Sequence, residues 1–149
     1  QLLPLAREVL DDWQDGRVKL FLVAKLLQLR QAQPDLFRYG GYTPLYAEGP
    51  HAAHVVAFQR HHTATHITVI APRLIVNLTD APEHPVLPLG ERVWGDTLLR
   101  LPQAQDYPLT NLFTGEQISP NAAGELSLAR VLRHFPVAVL VMGGADTGG

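Results

Sequence analysis

Three histidines stand close together in the middle of the sequence, and histidine is a common metal ligand. His61, His62 and His66 lie within six positions, and the i, i+4 spacing of His62 and His66 would bring their side chains together on a helix. The flanking residues alternate as in β-strands, however, and no Asp, Glu or Cys lies close by in sequence to complete a metal shell. We therefore predict an exposed polar turn here, and no metal or other cofactor for the chain.

Nucleophilic catalysis has few candidate residues in this sequence. The chain contains no cysteine, and its serines are Ser119 and Ser127. Neither serine lies in the Gly-x-Ser-x-Gly motif that exposes a hydrolase nucleophile at a strand-to-helix turn. Asn77–Thr79 matches a glycosylation sequon, which we expect to be inert because no secretion signal is visible.

Clustered carboxylates are a second possible source of chemistry, because paired carboxylates cleave glycosidic bonds. Asp11, Asp12 and Asp15 form such a cluster, but they surround a predicted turn between two helices. We interpret them as exposed helix-capping residues, with Asp15 as the N-cap of the second helix.

Trp94 and Asp96 form the one pairing that is typical of carbohydrate recognition. An aromatic plane with a hydrogen-bond acceptor beside it could hold a sugar ring, and Trp94–Thr97 provides both groups within four residues. A single tryptophan in a loop more often packs against the core, and this is the interpretation we favour.

Composition excludes several classes of protein. The 149 residues are 46% hydrophobic and 17% charged, which is typical of one folded domain and not of a disordered chain. A net charge of −2 provides no basic surface for nucleic acid or for an anionic membrane. The apolar stretch Leu20–Leu29 is too short to span a bilayer. With no signal peptide visible and no cysteine, we expect a cytoplasmic protein.

The first part of the chain has helical periodicity. Leu5, Val9 and Trp13 recur at i, i+4 and i+8 after Pro4, which suits a first helical turn. A second helix is predicted over residues 17–33, before Pro34. Its apolar side chains cover an arc of about 200° instead of the usual ~100°, so this helix needs two packing partners. The members of the arc are Val18, Leu20, Leu22, Val23, Leu26, Leu27 and Leu29, and Phe21 is assigned to the opposite side.

After Phe37 the sequence is typical of β-structure. Short β-rich runs are separated by turn clusters that contain most of the prolines and glycines, which predicts an antiparallel β-sandwich. The clearest hairpin pairs Val55–Phe58 with Ile67–Ile70 through residues 61–64, and a short helical turn over residues 128–135 precedes the last strand. The other predicted strands are Tyr42–Ala47, Leu98–Leu101, Leu112–Phe113, Ile118 and Val137–Met142. We expect terminal helices at 1–37, a β-sandwich at 38–142 and a mobile tail at 143–149.

An ordered set of motifs resembles the C-terminal part of the maltooligosyl trehalose synthase family, of the α-amylase superfamily. The set covers nearly the whole chain in order. It consists of Trp13–Leu20, Leu26–Arg30, Pro34–Phe37, Gly41–Leu45, Val55–Phe58, Pro72–Leu74, Trp94–Thr97, Asn111–Glu116 and Phe135–Leu140.

The resemblance implies a parent enzyme with a (β/α)8 barrel followed by a β-sandwich. It implies a retaining reaction that moves the reducing-end glucose of a maltooligosaccharide from an α-1,4 to an α,α-1,1 linkage, through a carboxylate nucleophile and a glutamate acid/base. The catalytic carboxylates of such an enzyme lie on the barrel, so the resemblance assigns no catalytic, cofactor-binding or metal-binding residue to this chain. Together with the start at Gln1 and the two-sided helix, it leads us to expect an inactive C-terminal fragment.

Three interpretations therefore follow from the sequence. In the first, the chain is a noncatalytic domain that covers the flank of a missing barrel, and its exposed helix face can pair the fragment as a homodimer. In the second, it is a free carbohydrate-binding module, which an aromatic platform on one sheet face would support. In the third, it is the C-terminal domain of another amylase-type hydrolase.

Overall fold

The computed structural model describes residues 1–11, 15–74, 87–102 and 108–142. Its helices are α1 (Leu2–Asp11), α2 (Arg17–Ala32), α3 (Pro34–Tyr39), α4 (Gly90–Trp94) and α5 (Leu128–Val131). Its strands are β1 (Gly41–Leu45), β2 (Ala47–Glu48), β3 (Val55–His62), β4 (Thr65–Pro72), β5 (Leu98–Arg100), β6 (Leu109–Asn111), β7 (Gln117–Ile118), β8 (Glu125–Ser127) and β9 (Ala138–Met142). The predicted glycosylation sequon, Asp12, Trp13 and the predicted tail lie outside the described residues.

Two antiparallel sheets form the body of the molecule. The larger sheet has the strand order β1-β3-β4-β9-β6-β7, and the smaller has the order β2-β5-β8. Every strand pair recorded in the described ranges is antiparallel. The prediction of a mainly β, antiparallel fold preceded by helices is therefore confirmed.

The larger sheet is covered on both faces. One face packs against the smaller sheet and α4 and α5, and we call this the inter-sheet core. It includes Leu45, Ile70, Trp94, Leu99, Leu126 and Leu140. The other face packs against the N-terminal helices, and we call this the helix-side core. It includes Ala6, Val9, Phe21, Leu29, Leu36, Ile67, Phe113, Phe135 and Val141.

The sequence of strand β9 is apolar at every position, and the place of this strand in the larger sheet explains why. Side chains alternate between the two faces of a strand, and both faces of the larger sheet are buried at this position. Ala138 and Leu140 belong to the inter-sheet core, whereas Val139 and Val141 belong to the helix-side core. A central strand between two cores therefore needs an apolar residue at every position.

Several predicted boundaries are corrected by the structure. The helical region continues past Phe37 as α3, because Pro34 occupies the first helical position, where its missing N–H costs nothing. The predicted strand at Leu112–Phe113 is a turn, and the strand is β6, just before it. The residues of β8 and α4 carried no pattern that predicted them.

Candidate interaction surfaces

One side of α2 carries large apolar side chains that are exposed by four-tenths or more of their surface. Leu20 is 71% exposed, Val23 46%, Leu26 41% and Leu27 51%. These four residues recur at helical spacing, so they form one continuous stripe, which we call the exposed α2 face. Apolar side chains of this size gain roughly 1.5–3 kcal/mol each when fully buried, so these four make this side of the helix a candidate interaction surface.

The opposite side of α2 is fixed to the larger sheet by aromatic packing. The ring centroid of Phe21 lies 5.6 Å from that of Phe135 and 6.1 Å from that of Phe113. Leu29 is 3% exposed on the same side of the helix. Assigning Phe21 to the side away from the apolar arc was therefore wrong, because its ring reaches into the helix-side core from the edge of that arc.

The three histidines do not converge. His61 and His66 are directly opposite each other on β3 and β4, with their rings stacked at 5.9 Å. His62 pairs with Thr65 and so projects from the other face of the sheet, where its ring lies 6.3 Å from that of Tyr39. The turn consists only of Thr63 and Ala64, so the prediction of a polar turn over residues 61–64 was too long. No group of three or more His, Cys, Asp or Glu side chains in the described ranges is arranged to hold a metal ion.

Burial lowers the pKa of His66, and the nearby His61 lowers it further. The ring nitrogen Nδ1 of His66 is buried and has no hydrogen-bond partner among the described residues. The folded protein therefore disfavours protonation of this ring, whereas the unfolded chain protonates it at the ordinary pKa of about 6.5.

We expect stability to fall as the pH drops below about 6.5, because the unfolded chain then binds a proton that the folded chain does not. Unfolding by urea, measured between about pH 7.5 and pH 5, should show this slope in the unmodified chain and a shallower slope in His66→Gln. His62→Gln is the control and should keep the full slope. Equal slopes in the unmodified chain and His66→Gln would contradict this explanation.

Of the predicted acidic cluster between the first two helices, Asp15 contacts the start of α2. Asp15 Oδ1 accepts a hydrogen bond from the Arg17 N–H at 3.0 Å, and Oδ2 lies 2.6 Å from Arg17 Nε. The hydrogen bond from the Arg17 backbone N–H is the main cause that holds the pKa of Asp15 below its usual value; desolvation opposes it, and the side-chain hydrogen bond and charge of Arg17 lower the pKa further. The N-cap position itself is Gly16 and not Asp15, since α2 begins at Arg17, and Gly16 adopts a left-handed conformation at φ 87° that glycine tolerates. Asp11 is exposed at the end of α1.

Trp94 is fully buried, and its Nε1 donates a 2.8 Å hydrogen bond to the carbonyl of Pro88. Its ring belongs to the inter-sheet core and so cannot stack on a sugar, as the packing interpretation predicted. Asp96, two residues later, is exposed and lines an open cavity of about 640 Å³. The alternative of a sugar stacked on Trp94 is therefore excluded, whereas the neighbouring acceptor, Asp96, does line a cavity.

The same cavity gathers polar residues from separate segments. Ser119 and Ser127 both line it, together with Asn121, Glu125 and Arg130. No histidine from the described part of the chain lines the cavity, so neither serine has there the histidine partner that commonly activates a catalytic serine. Sequence reasoning missed this grouping, because the residues come from three stretches of the chain that meet only in the tertiary fold.

A pair of aromatic rings stands on the larger sheet near its β1 edge. The rings of Tyr42 and Phe58 are 5.2 Å apart and inclined at 31°, and Tyr42 is 62% exposed. They lie on neighbouring strands, since Pro44 pairs with Phe58 and Tyr42 with Arg60. Side-chain alternation in two predicted strands, Tyr42–Ala47 and Val55–Phe58, was the signal that could have placed Tyr42 and Phe58 on one face of the sheet.

Within the described ranges, no helix has the length and apolar character needed to cross a membrane.

Comparison with known proteins gives a consistent result. No established family profile matches the chain. Provisionally named maltooligosyl trehalose synthases of two Mycobacterium tuberculosis strains, CDC 1551 / Oshkosh and ATCC 25618 / H37Rv, are each 38% identical over 96 residues. The matched region is 64% of this chain and 12% of each relative.

A solved structure supports the same relationship. The S44P mutant of maltooligosyltrehalose synthase from Arthrobacter ramosus matches with a TM-score of 0.62 and 27% identity over 92% of this chain. The chain spans only 16% of that structure's length. The predicted resemblance is therefore confirmed in sequence and in fold: this chain is similar to maltooligosyl trehalose synthase, consistent with a C-terminal part of such an enzyme.

Proposed function

We propose that the chain is the noncatalytic C-terminal domain of a cytoplasmic maltooligosyl trehalose synthase. The full-length form would convert the reducing-end α-1,4 linkage of a maltooligosaccharide to an α,α-1,1 linkage by intramolecular transglucosylation. In this proposal the domain supplies no catalytic group. It holds a helix of the catalytic barrel in place by burying one of its sides.

The exposed α2 face carries this proposal. One side of α2 is packed into the helix-side core through Phe21 and Leu29, so the helix cannot rotate to hide the other side. The residues on that other side are apolar, as are those on the side of a barrel helix that packs against the strands of its barrel. The relatives are also much longer than this chain, which leaves ample polypeptide to supply such a partner.

In the isolated chain we propose that a second copy covers the same face. An apolar stripe on a helix is self-complementary about a two-fold axis, which is the usual symmetry of a homodimer. Each copy would bury the side chains that the barrel covers in the parent enzyme.

We expect the purified chain to produce no trehalose-terminated product from maltopentaose, because in this proposal the catalytic carboxylates belong to the barrel of the full-length enzyme. The measurement is chromatography of the reaction products, with the Arthrobacter ramosus enzyme as the positive control. Product that forms with the purified chain and disappears in Asp96→Asn would overturn the noncatalytic role.

A second candidate function is that of a free carbohydrate-binding module. The Tyr42–Phe58 pair favours it, because exposed aromatic faces on a sheet can stack against the C–H face of a sugar ring. The two functions are distinguished by Tyr42→Ala, which should abolish saccharide binding by such a module and leave the exposed α2 face unaffected.

A further inference from the structure

The open cavity beside Asp96 is separate from both surfaces used so far. It lies between the segment that follows α4 and the segments around β7, β8 and α5. Its volume of about 640 Å³ is in the range of small-molecule sites and is large enough for one or two hexose units.

The cavity presents an acceptor and a donor that are both available. Asp96 and Arg130 are exposed, and neither side chain has a hydrogen-bond or ion-pair partner among the described residues. Glu125, the other acidic residue of the lining, is already engaged, since its Oε1 lies 3.1 Å from Arg100 Nη2. The available charges are therefore one negative and one positive, which suits a ligand without net charge that both donates and accepts hydrogen bonds, as hydroxyl groups do.

The polar wall of the cavity is held rigid by its own hydrogen bonds. Asn121 Oδ1 accepts from the N–H groups of Ala123 and Glu125, at 3.0 and 2.9 Å, and Asn121 Nδ2 donates to Glu125 Oε2 at 2.9 Å. Across the cavity, the Thr97 carbonyl accepts from the Leu128 N–H at 3.0 Å. These hydrogen bonds fix the part of the wall around Asn121 and Glu125, whereas the exposed side chains of Asp96 and Arg130 lose rotamer freedom when a ligand binds.

The backbone at Gly95 opens the cavity beside Asp96. Gly95 adopts φ 51° and ψ −127°, a conformation that side-chain-bearing residues avoid. A Cβ there would meet nothing within 4 Å, so the glycine serves the chain direction and leaves open space next to the carboxylate. The buried Trp94 anchors this turn by its hydrogen bond to Pro88.

Apolar groups complete the lining. Leu98, Ile118 and Pro120 line the cavity alongside the polar residues. A pyranose ring has apolar C–H faces and a rim of hydroxyl groups, so it needs this combination of apolar and polar contacts.

We propose that this cavity is a saccharide-binding site. In it, the Asp96 carboxylate accepts hydrogen bonds from sugar hydroxyl groups and the Arg130 guanidinium donates to them. The choice of α-1,4-linked glucose oligomers as ligand rests on the proposed function. The site would hold part of a maltooligosaccharide away from any catalytic centre.

The test is a titration of the 15N-labelled chain with maltotriose and maltopentaose, followed by amide chemical shifts. We expect binding in the millimolar range, with shifts at the backbone amides of Asp96, Ser127 and Arg130. Asp96→Ala and Arg130→Gln should each weaken binding about tenfold or more, because each removes a charged hydrogen-bonding partner. Arg133→Gln is the matched control, since this exposed arginine does not line the cavity, and it should bind as the unmodified chain does. Unfolding midpoints of all variants should agree, since these side chains are exposed.

Two results would overturn the proposal. The first is the absence of any shift with maltopentaose. The second is binding that persists in Asp96→Ala and Arg130→Gln but is lost in Tyr42→Ala, which would place the sugar on the aromatic pair. Neither result affects the proposed covering of the exposed α2 face, because no residue of that face lines the cavity.

Discussion

Phe135→Ala is expected to lower the free energy of unfolding by about 3–5 kcal/mol, as large-to-small substitutions of buried aromatic residues do. Phe135 is fully buried, and its ring centroid lies 5.3 Å from that of Phe113 and 5.6 Å from that of Phe21. Its ring joins α2 to the larger sheet, so truncation leaves a cavity at this junction and also removes two aromatic contacts. Urea unfolding at a fixed protein concentration measures the change.

Tyr42→Ala is the control for this substitution. It also removes an aromatic ring, but Tyr42 is 62% exposed, so we expect a loss of no more than about 1 kcal/mol. A loss in Phe135→Ala as small as that in Tyr42→Ala would mean that the helices are not fixed to the sheet as described.

Leu20→Gln combined with Leu27→Gln is expected to convert the isolated chain from a self-associating species to a monomer. Both side chains are more than half exposed, so the substitution removes the proposed contact with a second copy and leaves the core intact. Sedimentation equilibrium over a range of concentrations measures the association. The unfolding free energy of the monomer should change by no more than about 0.5 kcal/mol, as for other surface substitutions.

A substitution on the other side of the same helix is the matched control. Leu29 is 3% exposed, so Leu29→Ala should cost about 2–5 kcal/mol and leave the exposed α2 face unchanged. A wild-type chain that sediments as a monomer at every concentration would contradict the proposed pairing.

Much of the fold could be predicted from local pattern. Helical periodicity located α1 and α2, and strand alternation located the β3–β4 hairpin. The width of the apolar arc on α2 predicted apolar residues on two sides of the helix, of which the structure packs one side and leaves the other exposed. The assignment of Phe21 failed because a helical wheel gives directions around the axis, whereas a long aromatic side chain can reach a core that lies beside its own direction.

The i, i+4 spacing of His62 and His66 suggests a pair of neighbouring side chains that the structure does not contain. The separation of His62 and His66 brings side chains together only on a helix. In the hairpin a two-residue turn places them on opposite faces of the sheet, and the stacked pair is His61 with His66. Which pair meets depends on the length of the turn, and the positive φ of Thr63 in that turn has no clear sequence signal.

The cavity could not be predicted, because its residues are distant in sequence and individually ordinary. Asp96 was identified as a candidate only through its neighbour Trp94, which has a different role. Ser119, Asn121 and Arg130 line the same space although they come from different elements: Ser119 follows β7 of the larger sheet, Asn121 precedes β8 of the smaller sheet, and Arg130 lies in α5. A polar site of this kind follows from tertiary packing, and not from a motif.

The most direct test of the central claim compares one substitution in two settings. The matching region of the Arthrobacter ramosus enzyme is replaced by this chain, and Leu20→Gln/Leu27→Gln is made both in this chimera and in the isolated chain at dilute, monomeric concentration. If the barrel covers the exposed α2 face, the substitution should cost about 3–6 kcal/mol in the chimera, since each buried leucine contributes roughly 1.5–3 kcal/mol, and almost nothing in the isolated chain. An equally small loss in both settings would show that the barrel does not cover this face, and would contradict the proposed role of the domain.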